Sequence, residues 1–515
     1  MDVVTPHHHV ALGIDIGTTN TKVVLVEVDG AFPRELRRLS VPTPGDGAAL
    51  RDAVFRAIET LTRSGGDRIE AVGIASMAET GSLIDGAGEP LGGLLRWNDG
   101  VDGADGAVTD LVSSVGPAAL YEATGVPAPA KTPVAHWLKL RRAEHPALAT
   151  ARWGGVADLI ALALTGRLVT DHTLAARTMA YRSTPLGEAL PTSFDPDLSS
   201  LGGFSPDRLP DVLTPGSPAG VVSAEAAQRT GLASGIPVVI AGHDHAVGAW
   251  AAGARADGQA ANSVGTAEAI FRVSGAPIPR EAARRAGMSV ARTIDGSHES
   301  LLAGNPTAGA LVEWAFQTIF PMEPREETLA AAAAAASTWA GEPLVLPYLR
   351  GRQAPHPDPQ AVFRVVDRAG ATASLPTGAG DALAAILGGL VLQLAWLEAA
   401  QNEVVGVSTG AGAGVLHVLG GPGAANDAWW TLKRRIVPLE LRRVESSEPV
   451  AVGAAMFATH SATGVSPALR SVPANAAASV PVDRPPALLA DFIAAAAAAR
   501  ETVHQHPPLE LPTER

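Results

Sequence analysis

Val10-Ala11-Leu12-Gly13-Ile14-Asp15-Ile16-Gly17-Thr18-Thr19-Asn20-Thr21-Lys22, continuing through the apolar run Val23 to Val28, decides how the chain is read. Two β-rich runs flank a turn of one glycine and small hydroxylated residues, which predicts a hairpin. Gly17 tolerates backbone angles that other residues avoid, and Thr18 and Thr19 set hydroxyls beside their own N–H groups. Such a concave turn suits an anion, and phosphate is the obvious guest. Asp15, near the end of the first strand, would repel that phosphate unless a divalent cation stood between them, and Mg2+ is normally held through carboxylate and water. The turn therefore points to a Mg-nucleotide. The same residues also fit an edge hairpin with an ordinary polar turn, so the rest of the chain has to choose.

At 515 residues the chain exceeds one hydrophobic core and suits two or three domains. Its formal net charge is −13 and it has no basic cluster, which argues against a nucleic-acid or anionic-membrane surface and leaves a small molecule as the expected partner. With no cysteine, disulfides, thiolate metal sites and cysteine nucleophiles are excluded. The start, Met1-Asp2-Val3-Val4-Thr5-Pro6, lacks the basic residues and apolar core of a signal peptide, so the expected location is the cytoplasm. Asp381 to Ala400 comes closest to a membrane span. Asp381, Gln393, Trp396 and Glu398 interrupt it, and the expectation is a buried helix.

Helical periodicity covers Ala48 to Arg63, and Ile69 to Ser76 reads as a buried strand continuing through Met77-Ala78-Glu79-Thr80 into another. Glu79 and Asp99 are acids near strand ends. One helical region is expected from about Ala135 to Arg167, and an irregular cap over Thr184 to Pro218. Val238 to Ala241 is a short strand running into Gly242-His243-Asp244-His245, and composition shifts at Gly253 to Gly258, where a domain boundary is expected. Gln259 to Val264 and Ala267 to Val273 then flank Gly265-Thr266. A second strand, Gly-Thr turn and strand suggests internal duplication, each half supplying one phosphate clamp. Later, Val415 to Leu419 ends in Gly420-Gly421-Pro422-Gly423, Asn426 caps a helix through Arg435, and Glu448 to Ala455 opens a small-residue helix. One further helix is expected at Pro486 to Val503.

A carboxylate at the end of a buried strand, reachable by substrate and partly desolvated, suits a general base, and Asp244 is that residue. His243 and His245 raise a rival, a metal hydrolase site. On an extended segment neighbours point opposite ways, so the two imidazoles would share a face away from Asp244.

Taken together, Ala11 to Thr459 resembles the FGGY carbohydrate kinases. Gly13-Ile14-Asp15-Ile16-Gly17-Thr18-Thr19 looks like that family's first phosphate motif and Gly265-Thr266 like its second. Gly420-Gly421 with Asn426 is similar to its adenosine motif, Thr165-Gly166-Arg167 with Thr170-Asp171 to its sugar-domain segment, and Gly242-His243-Asp244 to the segment with its catalytic Asp. The resemblance implies an α/β fold of two RNase H-like (actin-like ATPase) domains with a cleft between them: 1–253 for sugar, 254–465 for ATP, and 466–515 a helix and tail. It implies ATP and Mg2+, with Asp244 as base and Asp15 in the Mg2+ shell. Gly17, Thr18, Thr19, Gly265 and Thr266 would face the phosphates, and Gly309, Gly420, Gly421 and Asn426 the nucleoside. Ala78, Glu79, Asp99 and Asp244 would face a ketose or polyol.

Departures gather at the sugar. Xylulokinase-like members carry Gln-Met-His and glycerol-kinase-like members Arg-Glu-Thr-Thr where this chain has Met77-Ala78-Glu79-Thr80, so Glu79 lacks an Arg partner at Ala78. Gly100-Val101-Asp102 and Gly351-Arg352-Gln353-Ala354-Pro355 also differ from the family pattern. A catalytically silent sugar or nucleotide sensor of the same fold stays open beside the kinase, and a homodimer is compatible with either.

Overall fold

The computed structural model describes residues 9–63, 65–99, 106–127, 129–407, 414–420, 426–473 and 486–502. Val10–Ile16 is an interior strand: it pairs antiparallel with Asn20–Glu27 and parallel with Ile69–Ser76. All seven of its residues are buried, as apolar packing on both faces requires. The edge-hairpin reading of this segment is thereby removed.

Among the described residues the first sheet has the order Arg34–Pro42, Asn20–Glu27, Val10–Ile16, Ile69–Ser76, Pro237–His243, Gly220–Val221. A second sheet has the order Ser289–Arg292, Glu299–Asn305, Glu268–Ser274, Ala260–Val264, Val415–Gly420, Glu440–Val444, Ser471–Pro473. In each, a central strand doubles back through its Gly-Thr turn into an antiparallel neighbour and pairs parallel with a later strand on its other side. The duplication suggested by two short turns extends to whole sheets.

Two helices join the halves. Asp244–Ala252 packs between the second sheet and Pro449–Thr463, its Gly248 against Leu419 of the one and Val450 of the other. Pro449–Thr463 lies on the first sheet so closely that a Cβ on Gly13 would collide with the Ala451 carbonyl, and one on Gly73 with the Ala454 carbonyl. The small residues of this helix are therefore a contact surface, backbone against backbone. One buried cluster draws Ala11, Val24 and Ala71 from the first sheet, Ala261, Phe271 and Leu419 from the second, and Trp250 and Phe457 from the helices.

Ala379–Val405 is long and apolar enough to cross a membrane, yet it is the core helix of the second half. Leu383, Ile386, Leu390 and Leu394 are fully enclosed. Its polar residues are matched internally: Gln401 Nε2 donates to the Ile270 and Leu301 carbonyls at 3.1 Å each, and Arg272 lies 3.3 Å from Glu398.

Where one helical region was expected between Ala135 and Arg167, there are two helices, Pro133–Arg142 and Val156–Thr165. Between them Arg152–Gly155 pairs with Gly81–Ile84, because two successive glycines are poor helix formers and let Trp153 enter a neighbouring core. Thr184 to Pro218 is largely irregular, with a short helix at Pro196–Leu201 and a strand at Asp211–Leu213. The C-terminal helix Pro486–Thr502 docks Leu488 and Phe492 on Leu344, Leu346 and Trp396. The expected end at Val503, the tail beyond it, and Gly100-Val101-Asp102 lie outside the described residues.

Candidate active site

Strand register assembles the first half of the site. Ile16 stands opposite Ser76, and Ser76 opposite His243, so Gly17, Met77 and Asp244 leave three neighbouring strands side by side. The carboxyl ends of parallel strands are where open α/β sheets bind ligands. Just before Asp244 the backbone passes an obstacle: Gly242 has φ 122°, and a Cβ there would meet Asp171 Oδ1 at 2.8 Å and collide with Thr173 Oγ1. Only glycine lets the strand through. Thr173 Oγ1 accepts a hydrogen bond from the His243 N–H at 2.8 Å, and Asp171 Oδ1 accepts from the Thr173 N–H at 2.7 Å. This pair fixes the chain one residue ahead of Asp244.

Asp244 is the first residue of its helix, its side chain about a quarter exposed at 26%. Oδ1 accepts the His245 N–H at 2.6 Å and lies 3.1 Å from His243 Nε2. Burial pushes this carboxyl up, but the His245 and His243 imidazoles and these hydrogen bonds outweigh it and hold the group well below the usual carboxylate range. Burial also keeps His245 below its ordinary value.

The alternation argument against a shared ion does not hold. The strand ends at His243 and a helix begins at Asp244, so side chains do not alternate there; one ligand atom each of His243, Asp244 and His245 falls within 4.8 Å of the others.

Asp15, 4% exposed, faces Lys22 across the hairpin. Lys22 Nζ lies 3.1 Å from Asp15 and 3.4 Å from Glu448. Burial pushes Asp15 up to about 6; Lys22 opposes this, while Asp244 and Glu448 add to it. Two carboxylates flank one ammonium here, and Asp244 is near enough to act on Asp15; their hard oxygens are of the kind Mg2+ takes. Lys22 and Glu448 were not singled out from sequence, although Lys22 stands in the opening motif.

Gly17 N–H closes its turn on Asn20 O at 3.1 Å, Thr43 Oγ1 donates to Gly17 O at 2.8 Å, and Thr19 is exposed. Thr18 Oγ1 accepts the Trp97 indole N–H at 3.0 Å. In the second half Gly265 and Thr266 are exposed at the tip of their hairpin. Gly309, expected on the nucleoside side, donates its N–H to Gly265 O at 3.0 Å, and Ala310 donates to Thr266 O at 3.1 Å. Gly309 therefore buttresses the second turn, and it is too close to that turn for any side chain. Gly420, φ 134°, is packed on the Val264 backbone, and Asn426 accepts the Trp429 N–H at 3.0 Å to cap Asp427–Ile436. Gly421 lies outside the described residues. From that helix the buried Lys433 reaches Asn262 at 2.5 Å and Glu268 at 2.6 Å, tying it to the hairpin that carries Gly265-Thr266.

Glu79, expected to face the sugar, has a left-handed backbone, φ 60°, and its Oε1 accepts from Arg177 Nε at 2.7 Å and lies 2.5 Å from the second guanidinium nitrogen. The Arg partner missing at Ala78 is thus supplied by Arg177. Its third nitrogen donates to Ser289 Oγ at 2.6 Å, in the second sheet. Lys131 Nζ donates to Gln353 at 3.3 Å and sits 5.4 Å over the Trp97 ring, and burial lowers its pKa. Ala78 is buried with Met77 and lines a small cavity together with Glu79 and Thr80. Asp99 is exposed and accepts the Arg96 N–H at 3.0 Å, closing its own turn, while Trp97 reaches Thr18 in the Gly17 turn. Arg177 and Lys131 carried no periodic or motif signal, Trp97 stood two residues before the candidate Asp99, and Gln353 stood in a segment read only for its departure from the family pattern.

Residues 10–251 match the N-terminal domain of the FGGY family of carbohydrate kinases, and residues 260–462 match its C-terminal domain. The chain belongs to this family. The L-fuculokinase of Salmonella typhi is 26% identical over 283 residues, a match that covers 52% of this FGGY chain and 57% of that protein. The xylulose kinase of Klebsiella pneumoniae is 27% identical over 365 residues, covering 68% and 71%. Among solved structures, the xylulose kinase from Rhodospirillum rubrum superposes with TM-score 0.80 at 22% identity, covering 96% of this chain and 100% of that one. The gluconate kinase from Lactobacillus acidophilus gives 0.78 at 20%, covering 96% and 97%. The shared architecture is the actin-like ATPase fold of a sugar kinase.

Proposed function

We propose that this FGGY kinase transfers the γ-phosphate of ATP to a hydroxyl of a small ketose or polyol, with Asp244 orienting that hydroxyl and receiving its proton. The register that sets Gly17, Met77 and Asp244 side by side carries the reading, since the Gly17 turn and the Asp244 carboxylate then leave strands separated only by the one that leads into Met77.

Phosphoryl transfer asks the protein mainly for positioning and charge neutralisation. Asp244 accepts the hydroxyl's hydrogen bond and aims its oxygen. A carboxylate held below the usual range is a weak base, which matches a proton released late, as the new O–P bond forms and the bridge to the β-phosphate breaks. Gly17, Thr18 and Thr19 serve the phosphates from one side, Gly265 and Thr266 from the other, with Gly309 behind the second turn. Gly420 and Asn426 serve the nucleoside side. Asp15, with Lys22 and Glu448 beside it, would hold Mg2+, which when bound neutralises phosphate charge. Residues 1–253 then form the sugar domain, 254–465 the ATP domain and 466–515 a helix and tail, in a cytoplasmic enzyme.

The test is ADP release from Mg-ATP across a panel of ketoses, polyols and sugar acids. Asp244→Asn should lower kcat by about 10²- to 10⁴-fold while nucleotide binding persists. Turnover unchanged in Asp244→Asn would sink the mechanism, and nucleotide binding with no turnover on any sugar would favour the sensor.

A further inference from the structure

Among the described residues, each cation named at the site other than Lys131 faces a carboxylate. Arg177 is matched by Glu79, and Lys22 by Asp15 and Glu448. Asp244 is held between two imidazoles. Lys131 is different: among the described residues its ammonium meets the neutral Gln353 amide at 3.3 Å and the face of Trp97 at 5.4 Å, and no carboxylate pairs with it. These two contacts come from opposite halves of the chain, which places Lys131 at their junction. The Trp97 indole N–H reaches Thr18 in the phosphate turn, and Glu79 with Arg177 act electrostatically on both Lys131 and His245, the neighbour of Asp244. Lys131 therefore borders the space that a substrate held at Asp244 would occupy.

A half-buried ammonium whose direct contacts are all neutral is under-compensated. Sugar hydroxyls would offer it lone pairs but no charge. A carboxylate supplies both, and the C–H face of a carbon chain can lie on the Trp97 ring. We propose that the acceptor is a polyhydroxylated acid, a polyol chain carrying a carboxylate, and that Lys131 pairs with that carboxylate and sets specificity. This rests on the kinase reading only for the fate of the hydroxyl; the binding of the acid stands separately.

Two measurements on the full chain separate them. In the ADP-release assay, aldonates and ketoaldonates should exceed neutral ketoses and polyols of equal carbon number by about 100-fold in kcat/KM, the usual penalty for leaving a buried charge unpaired. Lys131→Met should erase that preference through KM for the acid, with KM for ATP unchanged, and Lys131→Arg should restore part of it. Preference for neutral sugars, or a Lys131→Met effect seen in KM for ATP with every acceptor, would overturn the proposal. In a thermal-shift assay without nucleotide, the acids but not the neutral sugars should stabilise the protein, and Lys131→Met should lose the shift. If no acceptor drives ADP release, the kinase reading fails and this second assay decides alone: an acid-specific shift lost in Lys131→Met keeps the assignment, and no such shift overturns it.

Discussion

Replacing Arg177 with Met removes the partner of Glu79 while keeping much of the side chain's length. In the structure two guanidinium nitrogens lie 2.7 and 2.5 Å from one Glu79 oxygen, with the two side chains 15% and 12% exposed. Taking one partner from a buried ion pair typically costs about 3–5 kcal/mol, and the remaining exposure puts this pair at the low end, about 3 kcal/mol. The lost bond to Ser289 adds about 1 kcal/mol. Glu79→Gln,Arg177→Met leaves a neutral amide in place of the stranded carboxylate, so it should be less destabilised than Arg177→Met alone. The double-mutant cycle should then return a coupling of about 2 kcal/mol. Urea unfolding monitored by tryptophan fluorescence measures all four proteins. Single effects that add to within about 0.5 kcal/mol would show that the two side chains touch without depending on each other.

Three further outcomes are expected. Asp158, enclosed and with Oδ1 unpartnered, is pushed up to about 7 by burial; the folded state therefore binds its proton more tightly than the unfolded chain, and this term lowers stability as pH rises from about 4 to 7. Asp158→Asn, which can still accept the Gly155 N–H, should match the parent at pH 4 and exceed it by up to about 4 kcal/mol above pH 7, and parallel stability-pH curves would refute this. Gly73→Ala should destabilise by about 3 kcal/mol, because its methyl would meet the Ala454 carbonyl, whereas Gly66→Ala, with open space around it, should change the urea midpoint little; equal effects would count against the close seam. Thr173→Val strips the acceptor from the His243 N–H and should cut kcat about 10- to 100-fold with KM for ATP unchanged, read by steady-state kinetics; full activity would remove Thr173 from the positioning of Asp244.

What could be read from sequence was local. The Gly17 and Gly265 turns, the Asp244 segment and the Asn426 cap declare themselves because backbone permissiveness, hydroxyl placement and capping are properties of a few consecutive residues. Arg34–Pro42 went unread as a strand, since its arginines and glutamate disguise an edge strand whose outer face is wet. Glu79 was legible as an acid near a strand end, but its partner is 98 residues away and no periodicity encodes that meeting. Lys131 and Gln353 meet across the two halves, 222 positions apart, for the same reason. At Asp244 a helix begins where the sequence reading kept the chain extended, and that change brought the two flanking histidines to the same carboxylate. Gly13 and Gly73 look like ordinary small residues in β-runs until the helix that requires them is in place.

That helix has a consequence for the order in which the chain can fold. The inward face of the first sheet, with Ala11, Gly13, Ala71 and Gly73, is covered by Pro449–Thr463, made about 430 residues after the first strand. At ordinary rates of synthesis that is a wait of roughly 20–90 s with an apolar sheet face open. The first half carries a complete sheet and matches the family's N-terminal domain, yet the cover for one face of that sheet comes from the second half. Released before residue 449, it should be held soluble only by something else that covers that face.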